Sequence, residues 1–317
     1  MTPSVTAFLF PGQGSQAAGM GKELASLYPV ARHTFQEADD ALGFSISQLC
    51  FEGPDEQLKL TENTQPAILI MSTAVARVLQ EKGIVPQFTA GHSLGEYSAH
   101  VAAGTIPFAE AVRTVRNRGR YMQEAVPAGE GGMAAILGMA LDQLQQVCAD
   151  AAQGEVVSPA NINSPDQIVI SGHQKAVERA ADLAKQRGAK RAVMLVVSAP
   201  FHCALMQPAQ DRLAKDLQSL HLNNPEVPVI SNIDAVPKTT GEDSRQALVR
   251  QVTGAVQWAS SMQTLIGLGV KTYVEVGPGK VLTGLMRQID RTQTCLNAED
   301  EASVQKVSNL FAAAAKE

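Results

Sequence analysis

A serine between two glycines is the first feature of this sequence that could carry chemistry. Ser93 lies in Gly91-His92-Ser93-Leu94-Gly95, after a short apolar run and before small residues that predict a helix. Such a segment between a strand and a helix is typical of a strained turn that projects the serine hydroxyl outward. The amide of Leu94 would then face a developing oxyanion. The pattern favours a nucleophile; the alternative is a plain glycine-rich turn, because Gly-x-Ser-x-Gly occurs by chance in roughly one such chain in ten.

A nucleophilic serine needs a base, and the sequence contains six histidines. His202 follows a predicted strand and a short loop, and α/β enzymes assemble their sites in loops at strand ends. The side chain of His92 should diverge from Ser93, and His100 lies too far along the next helix. Between Ser93 and His202, only Asp166 is an acid in an evident strand-end loop. The pattern suggests a dyad whose imidazole is oriented by a group other than a carboxylate, and a core histidine is the alternative for His202.

Short apolar runs and helical patterns alternate along most of the chain. This alternation predicts an α/β fold with a largely parallel sheet. Strands are predicted at residues 5–10, 88–91, 227–231 and 272–276, and helices at 21–60, 66–82 with proline in the first turn, 107–125, 244–252, 258–268, 280–289 and 303–315.

The middle of the chain has a different order of elements, βαββαβ, which is typical of a ferredoxin-like unit. Its strands are predicted at residues 133–137, 156–161, 167–171 and 191–197, with helices at 141–152 and 176–187. The sequence therefore predicts a small domain, residues 127–198, inserted into a large domain formed by residues 1–126 and 199–317.

Composition excludes several classes of protein. The net charge of -5 argues against a nucleic-acid binder, which normally has a basic face. The four cysteines lie far apart, so the sequence predicts neither a disulfide framework nor a metal site. The first ten residues lack the features of a signal peptide, and no apolar run approaches the roughly 20 residues that span a bilayer. We expect a soluble cytoplasmic protein without membrane contact, and nothing in the sequence demands more than a monomer.

Five segments together resemble the malonyl-CoA:acyl carrier protein transacylase family. They occur in the family's order and spacing over nearly the whole chain, which is far more specific than any one motif. The resemblance implies a large α/β hydrolase-like domain with an inserted ferredoxin-like domain. The segments are Phe10-Pro11-Gly12-Gln13-Gly14-Ser15-Gln16, Gly91-His92-Ser93-Leu94-Gly95-Glu96-Tyr97, Arg118-Gly119-Arg120-Tyr121-Met122-Gln123, Pro200-Phe201-His202-Cys203 and Glu275-Val276-Gly277-Pro278-Gly279.

The resemblance also implies roles for individual residues. Ser93 would be the acylated nucleophile, and His202 its general base and later its acid. The backbone amides of Gln13 and Leu94 would form the oxyanion hole. The backbone carbonyl of Gln251 would orient the histidine, in a loop where the family often has a proline that this chain lacks.

Arg118 would bind the free carboxylate of the malonyl group, because a guanidinium can hold a carboxylate by two parallel hydrogen bonds. Without the resemblance, the helical pattern favours the interpretation that Arg118 is one of several solvated arginines on a helix. Phe201 resembles the malonyl-selecting version of its motif, and Met122, one turn beyond Arg118, would line the acyl pocket.

The implied reaction is malonyl transfer from malonyl-CoA to the phosphopantetheine thiol of acyl carrier protein, with the coenzyme A thioester as substrate and no cofactor. Three alternatives remain at this point: a serine esterase or thioesterase, a non-catalytic module that binds carrier protein or coenzyme A, and the related transacylase of a malonate decarboxylase. Lys190, Arg191 and Lys280 are candidates for docking the carrier protein.

Overall fold

The computed structural model describes residues 5–314, and its ten strands form two sheets in this part of the chain. Residues 1–4 and 315–317 lie outside the described residues, as does the predicted helix end at residue 315. The strands are β1 (Thr6–Phe10), β2 (Phe88–Gly91), β3 (Gly131–Leu137), β4 (Val157–Ser164), β5 (Gln167–His173), β6 (Arg191–Leu195), β7 (Val229–Ile230), β8 (Pro237–Lys238), β9 (Thr272–Val276) and β10 (Thr294–Ala298).

Helices cover both sheets. They are α1 (Lys22–Leu27), α2 (Pro29–Leu42), α3 (Ile46–Glu52), α4 (Asp55–Leu58), α5 (Thr61–Glu81), α6 (Leu94–Ala102), α7 (Phe108–Glu124), α8 (Leu141–Ala152), α9 (Gln174–Gln186), α10 (Gln207–Ser219), α11 (Gly241–Arg250), α12 (Trp258–Gly267), α13 (Val281–Ile289) and α14 (Glu301–Ala314). None of the helices in residues 5–314 has the length and apolar character needed to cross a membrane.

The larger sheet has the strand order β10-β9-β1-β2-β7-β8. Its strand pairs are parallel except for the antiparallel pair β7–β8, so the prediction of a largely parallel sheet is confirmed. Strands β1 and β9 are buried at every position, as expected for a parallel sheet covered on both faces. The sequence analysis missed β8, β10 and α10.

The smaller sheet has the strand order β4-β5-β3-β6 and is antiparallel throughout. Helices α8 and α9 pack together and against this sheet. The order βαββαβ and the antiparallel pairing are those of a ferredoxin-like unit, as predicted.

Two predicted helical segments differ in detail from the structure. The helical patterns predicted over residues 21–60 form four separate helices, because Pro29 begins α2, Gly43 ends it with a φ of 74°, and Gly53 ends α3 with a φ of 78°. The helix predicted to begin at Pro66 begins at Thr61 and contains that proline in its second turn. Nearly all of α5 is buried, and packing of this kind outweighs the lost backbone hydrogen bond.

His100 is a fully buried histidine on α6 whose two ring nitrogens have no hydrogen-bond partner among the described residues. Burial lowers its pKa to about 3. The unfolded chain therefore binds a proton near pH 6.5 that the folded protein does not bind until much lower pH. Stability that is present above pH 6.5 is lost as the pH falls toward the folded pKa.

We predict that His100→Leu makes stability less sensitive to acid. Between pH 7 and pH 5, wild type should lose about 2 kcal/mol of unfolding free energy more than the variant, from the shift and 1.36 kcal/mol per unit. Urea denaturation at the two pH values measures the difference. The exposed histidine variant His33→Leu is the control and should follow wild type; equal losses in wild type and His100→Leu would contradict the prediction.

Candidate active site

Ser93 occupies a sharp turn between β2 and α6. Its backbone angles, φ 53° and ψ −107°, are strained for a residue with a side chain. A Cβ at Gly91 would lie 1.9 Å from the carbonyl carbon and oxygen of Gly95, and one at Gly95 would lie 2.0 Å from the carbonyl oxygen of Phe10. Both glycines are therefore required by contact, which gives the physical reason for the Gly-x-Ser-x-Gly spacing.

Asn232 holds this turn in place, and the sequence analysis did not find it. Its Oδ1 accepts a hydrogen bond from the amide of Ser93 at 2.7 Å, and its Nδ2 donates to the carbonyl of Gly91 at 2.7 Å. The side chain is fully buried and comes just after β7, the strand beside β2. The signal in the sequence that could have identified Asn232 is its place as a polar residue at the carboxyl end of a predicted strand, where α/β proteins assemble their sites.

His202 lies against the serine. Its Nε2 is 2.7 Å from Ser93 Oγ, and its Nδ1 is 2.9 Å from the carbonyl oxygen of Gln251. Because a carbonyl only accepts, Nδ1 carries the proton and Nε2 is free to accept one from the hydroxyl. Burial, followed by the positive charge of Arg118, lowers the pKa of His202 to about 3. The imidazole is therefore neutral at physiological pH and can act as a base.

Arg118 projects from α7 to the same point and is 1% exposed. One terminal nitrogen donates to Ser93 Oγ at 3.2 Å and to the Gln251 side-chain oxygen at 3.0 Å, and the other donates to Gln65 Oε1 at 2.8 Å. Nε has no partner, and within residues 5–314 no carboxylate lies within ion-pair distance of Arg118. A buried cation that no carboxylate contacts directly, beside a nucleophile, can bind an anionic group.

Gln65 links this arginine to the loop that follows β1. Its Nε2 donates a hydrogen bond to Gln13 Oε1 at 3.1 Å, and its Oε1 accepts the hydrogen bond from Arg118. Sequence analysis missed Gln65 because it lies in the first turns of α5, in a segment that was predicted to begin one residue later. Met122 is buried with its sulfur 3.8 Å from Gln65 Nε2, so it packs against Gln65.

The backbone amides of Leu94 and Gln13 are the candidates for the oxyanion hole. Within the described residues, neither Leu94 N–H, at the start of α6, nor Gln13 N–H donates a hydrogen bond. The loop containing Gln13 lies against the serine turn, since a Cβ at Gly12 would be 2.6 Å from the carbonyl oxygen of His92. The His92 side chain itself diverges, with Nε2 2.8 Å from Asn163 Oδ1.

A cavity of about 540 Å³ opens above Ser93 and His202. Its other walls come from the loop after β1 and from the smaller sheet, so the site lies between the two sheets. Phe201 lines the cavity, whereas Met122 does not. The further lining residues are Gln13, Gly14, Gln16, Lys59, His92, Met133, Asn161, Leu195, Val196, Val197 and Ser198.

Positive charge at the cavity comes from Lys59, a residue that the sequence analysis did not single out. Lys190, Arg191 and Lys280 are exposed but do not line it, and Lys280 is 3.3 Å from Glu299. Over residues 5–314, no group of three or more His, Cys, Asp or Glu side chains is placed to hold a metal ion.

Comparison with known proteins gives one consistent result. The family model described as acyl transferase domain matches residues 7–309. The malonyl CoA-acyl carrier protein transacylase of Escherichia coli (strain K12) is 53% identical over 289 residues, which are 91% of this chain and 94% of that protein.

Solved structures agree with it. The malonyl CoA-acyl carrier protein transacylase of Coxiella burnetii superimposes with a TM-score of 0.95 at 45% identity, covering 98% of both chains. A malonyl-transacylase in complex with its type II PKS acyl-carrier protein has a TM-score of 0.95 at 47% identity, covering 97% of this chain and 100% of that one. The chain is therefore an acyltransferase and belongs to the malonyl CoA-acyl carrier protein transacylase family.

Proposed function

We propose that this enzyme transfers a malonyl group from malonyl-CoA to the phosphopantetheine thiol of acyl carrier protein through a malonyl ester of Ser93. The observation that carries the proposal is the position of Arg118, a buried guanidinium without a carboxylate partner, 3.2 Å from the Ser93 hydroxyl. An acyl group attached to Ser93 that ends in a carboxylate would place its charge beside this cation.

In the first half of the reaction, Ser93 Oγ attacks the thioester carbonyl and its proton passes to Nε2 of His202. The bond from Nδ1 to the Gln251 carbonyl keeps the imidazole in the tautomer that accepts this proton. Negative charge develops on the carbonyl oxygen, where the amides of Leu94 and Gln13 are free to donate. Each such donor contributes about 3 kcal/mol of transition-state stabilisation.

Collapse of the tetrahedral intermediate breaks the carbon–sulfur bond, and the coenzyme A thiol leaves with the proton from His202. The second half is the reverse of the first: His202 takes the proton of the carrier thiol, which attacks the Ser93 ester and restores the hydroxyl. The chemistry needs only a nucleophile, a base and two donors, so we propose no cofactor beyond the coenzyme A thioester substrate.

Selection of the acyl group follows from the same residues. Acetyl or fatty acyl groups would leave Arg118 without an anion and buried, which is costly. The bulky Phe201 lines the cavity, so we expect little room for a methyl branch next to the carbonyl and a preference for malonyl over methylmalonyl. Met122 supports the pocket from behind Gln65.

The partner assignment rests on the solved complex in which a related malonyl-transacylase binds an acyl-carrier protein. We propose the same class of partner here, a cytoplasmic location and a monomeric enzyme. We further propose that residues 127–198 are an inserted domain whose sheet forms one wall of the substrate cavity, against the large domain of residues 1–126 and 199–317.

The intact mass of the protein after incubation with malonyl-CoA tests the proposal. Wild type should gain one malonyl group, and Ser93→Ala should gain none, because the Ser93 hydroxyl is the one that hydrogen-bonds His202 among residues 5–314. If Ser93→Ala is modified to the same extent as wild type, the nucleophile is assigned wrongly.

The fate of this adduct separates transfer from hydrolysis. The malonyl-enzyme should persist in buffer and lose its acyl group when the holo form of acyl carrier protein is added, with malonyl appearing on the carrier. Rapid loss of the adduct to water without carrier protein would instead identify a thioesterase.

A further inference from the structure

Behind the nucleophile lies a fully buried carboxylate to which the proposed mechanism assigns no role. Glu96 is on the first turn of α6, three residues after Ser93, and is 0% exposed. It contacts neither the serine hydroxyl nor Arg118 through any hydrogen bond. One carboxylate oxygen, Oε1, has no hydrogen-bond partner among the described residues. A buried carboxylate is costly to maintain, so its surroundings indicate what it holds.

The other oxygen of Glu96 makes two contacts. Oε2 accepts from the side-chain Nε2 of Gln251 at 2.7 Å and from the backbone amide of Asn232 at 3.2 Å. Asn232 accepts the hydrogen bond from the Ser93 amide, and the side-chain oxygen of Gln251 accepts a hydrogen bond from Arg118. Glu96 is thus one amide group away from the arginine that the proposed function assigns to substrate.

The Gln251 amide can face only one way in this arrangement. Its nitrogen is close to the oxygens of Glu96 and of the Ser93 carbonyl, and its oxygen is 3.0 Å from Arg118. If the amide were reversed, an NH₂ group would face the guanidinium, donor against donor, and an oxygen would face the carboxylate. The bond to Glu96 is the shortest of these contacts, so Glu96 is the strongest determinant of the orientation. Burial raises the pKa of this carboxyl to about 7, and Oε2 can accept the amide hydrogen whether or not the group carries a proton on Oε1.

We propose that Glu96 is a positioning residue for acyl-group selection: as an acceptor it orients the Gln251 amide, which in turn holds the Arg118 guanidinium against the Ser93 hydroxyl. This inference rests on the proposed malonyl specificity and deepens it. Without Glu96, the Gln251 oxygen would no longer be a fixed acceptor for the guanidinium. The guanidinium must keep its orientation to bind a carboxylate by two parallel hydrogen bonds. Loss of the acceptor should therefore affect malonyl transfer more than transfer of an acyl group without a carboxylate.

Two variants separate the hydrogen-bond acceptor from the charge. Glu96→Gln keeps an oxygen at the position of Oε2 and removes the charge, whereas Glu96→Asp keeps the charge and withdraws the oxygen from Gln251. Single-turnover acylation with malonyl-CoA and with acetyl-CoA, followed by intact mass, gives the ratio of the two rates and its dependence on substrate concentration. Glu275→Gln is the matched control: Glu275 is equally buried but caps α13 through the amides of Leu282 and Thr283.

We expect Glu96→Asp to lower the malonyl-to-acetyl ratio about tenfold, mainly through weaker apparent binding of malonyl-CoA, and Glu96→Gln to stay within about threefold of wild type. Glu275→Gln should lower the Tm without moving the ratio. The inference is overturned if Glu96→Asp keeps the wild-type ratio, if Glu96→Gln loses more of it than Glu96→Asp, or if both substrates slow equally. A wild-type protein that takes no malonyl group would overturn the proposed function itself.

Discussion

Arg118→Ala is expected to lower kcat/KM for malonyl-CoA by about a thousandfold while raising the activity with acetyl-CoA relative to malonyl-CoA. The guanidinium is buried and its position beside Ser93 lets it pair with the malonyl carboxylate. Removing one partner from a buried charge pair costs about 3–5 kcal/mol, and 1.36 kcal/mol corresponds to a factor of ten. Steady-state transfer to acyl carrier protein, measured separately with the two thioesters, tests the expectation.

Two further variants make this prediction specific. Arg118→Lys keeps the charge but not the planar fork, so its malonyl activity should lie between those of wild type and Arg118→Ala. Arg120→Ala removes an exposed arginine from the same helix and should leave both activities near wild type. Unchanged malonyl turnover in Arg118→Ala would show that the carboxylate binds elsewhere.

His202→Ala should lower the rate of acylation by malonyl-CoA by about ten thousandfold, at the upper end of what general bases contribute. Without the imidazole, the Ser93 proton has no acceptor, and the leaving thiol has no donor. Folding should survive, because the ring lies at the wall of a cavity of about 540 Å³ and not in the core of the sheet. Quenched-flow mixing followed by intact mass measures the single-turnover rate directly.

The matched control is His100→Leu, which removes a fully buried histidine on α6 away from the serine and should acylate at the wild-type rate. Added imidazole should partly restore His202→Ala, because it can enter the vacated space beside Ser93 Oγ. An acylation rate in His202→Ala within tenfold of wild type would remove His202 from the role of base.

Local sequence patterns were sufficient for much of the framework. The apolar strands β1, β2 and β9 are recognisable because both faces of a parallel sheet are buried, so their residues read as continuous hydrophobic runs. The βαββαβ order of the smaller unit is visible because each element has its own period. Errors occurred where packing outweighed local preference, as at Pro66 inside α5.

Among the side chains of the candidate active site, one was found from its local pattern, and others depended on the fold or on the family resemblance. Ser93 was found from its two glycines: the turn excludes a Cβ at Gly91, and the neighbouring strand β1 excludes one at Gly95. His202 was preferred among six histidines for its place after a predicted strand and for the family resemblance, and the fold brings its Nε2 to 2.7 Å from the serine. For Arg118, the residues favoured a solvated helix face, and the family resemblance alone pointed to the site.

The amino-acid sequence by itself determined most of the strands and helices, the tight turn at Ser93 and the family to which the chain belongs, because these depend on local periodicity, steric limits and motif spacing. Only the tertiary structure decided which polar groups serve the serine. Gln65, Asn232 and Gln251 lie outside the five family segments, and Glu96 lies in one of them without an assigned role. They act because chain folding places them within hydrogen-bond distance in a buried space, where an unpaired donor or acceptor is costly and each partner therefore constrains the next.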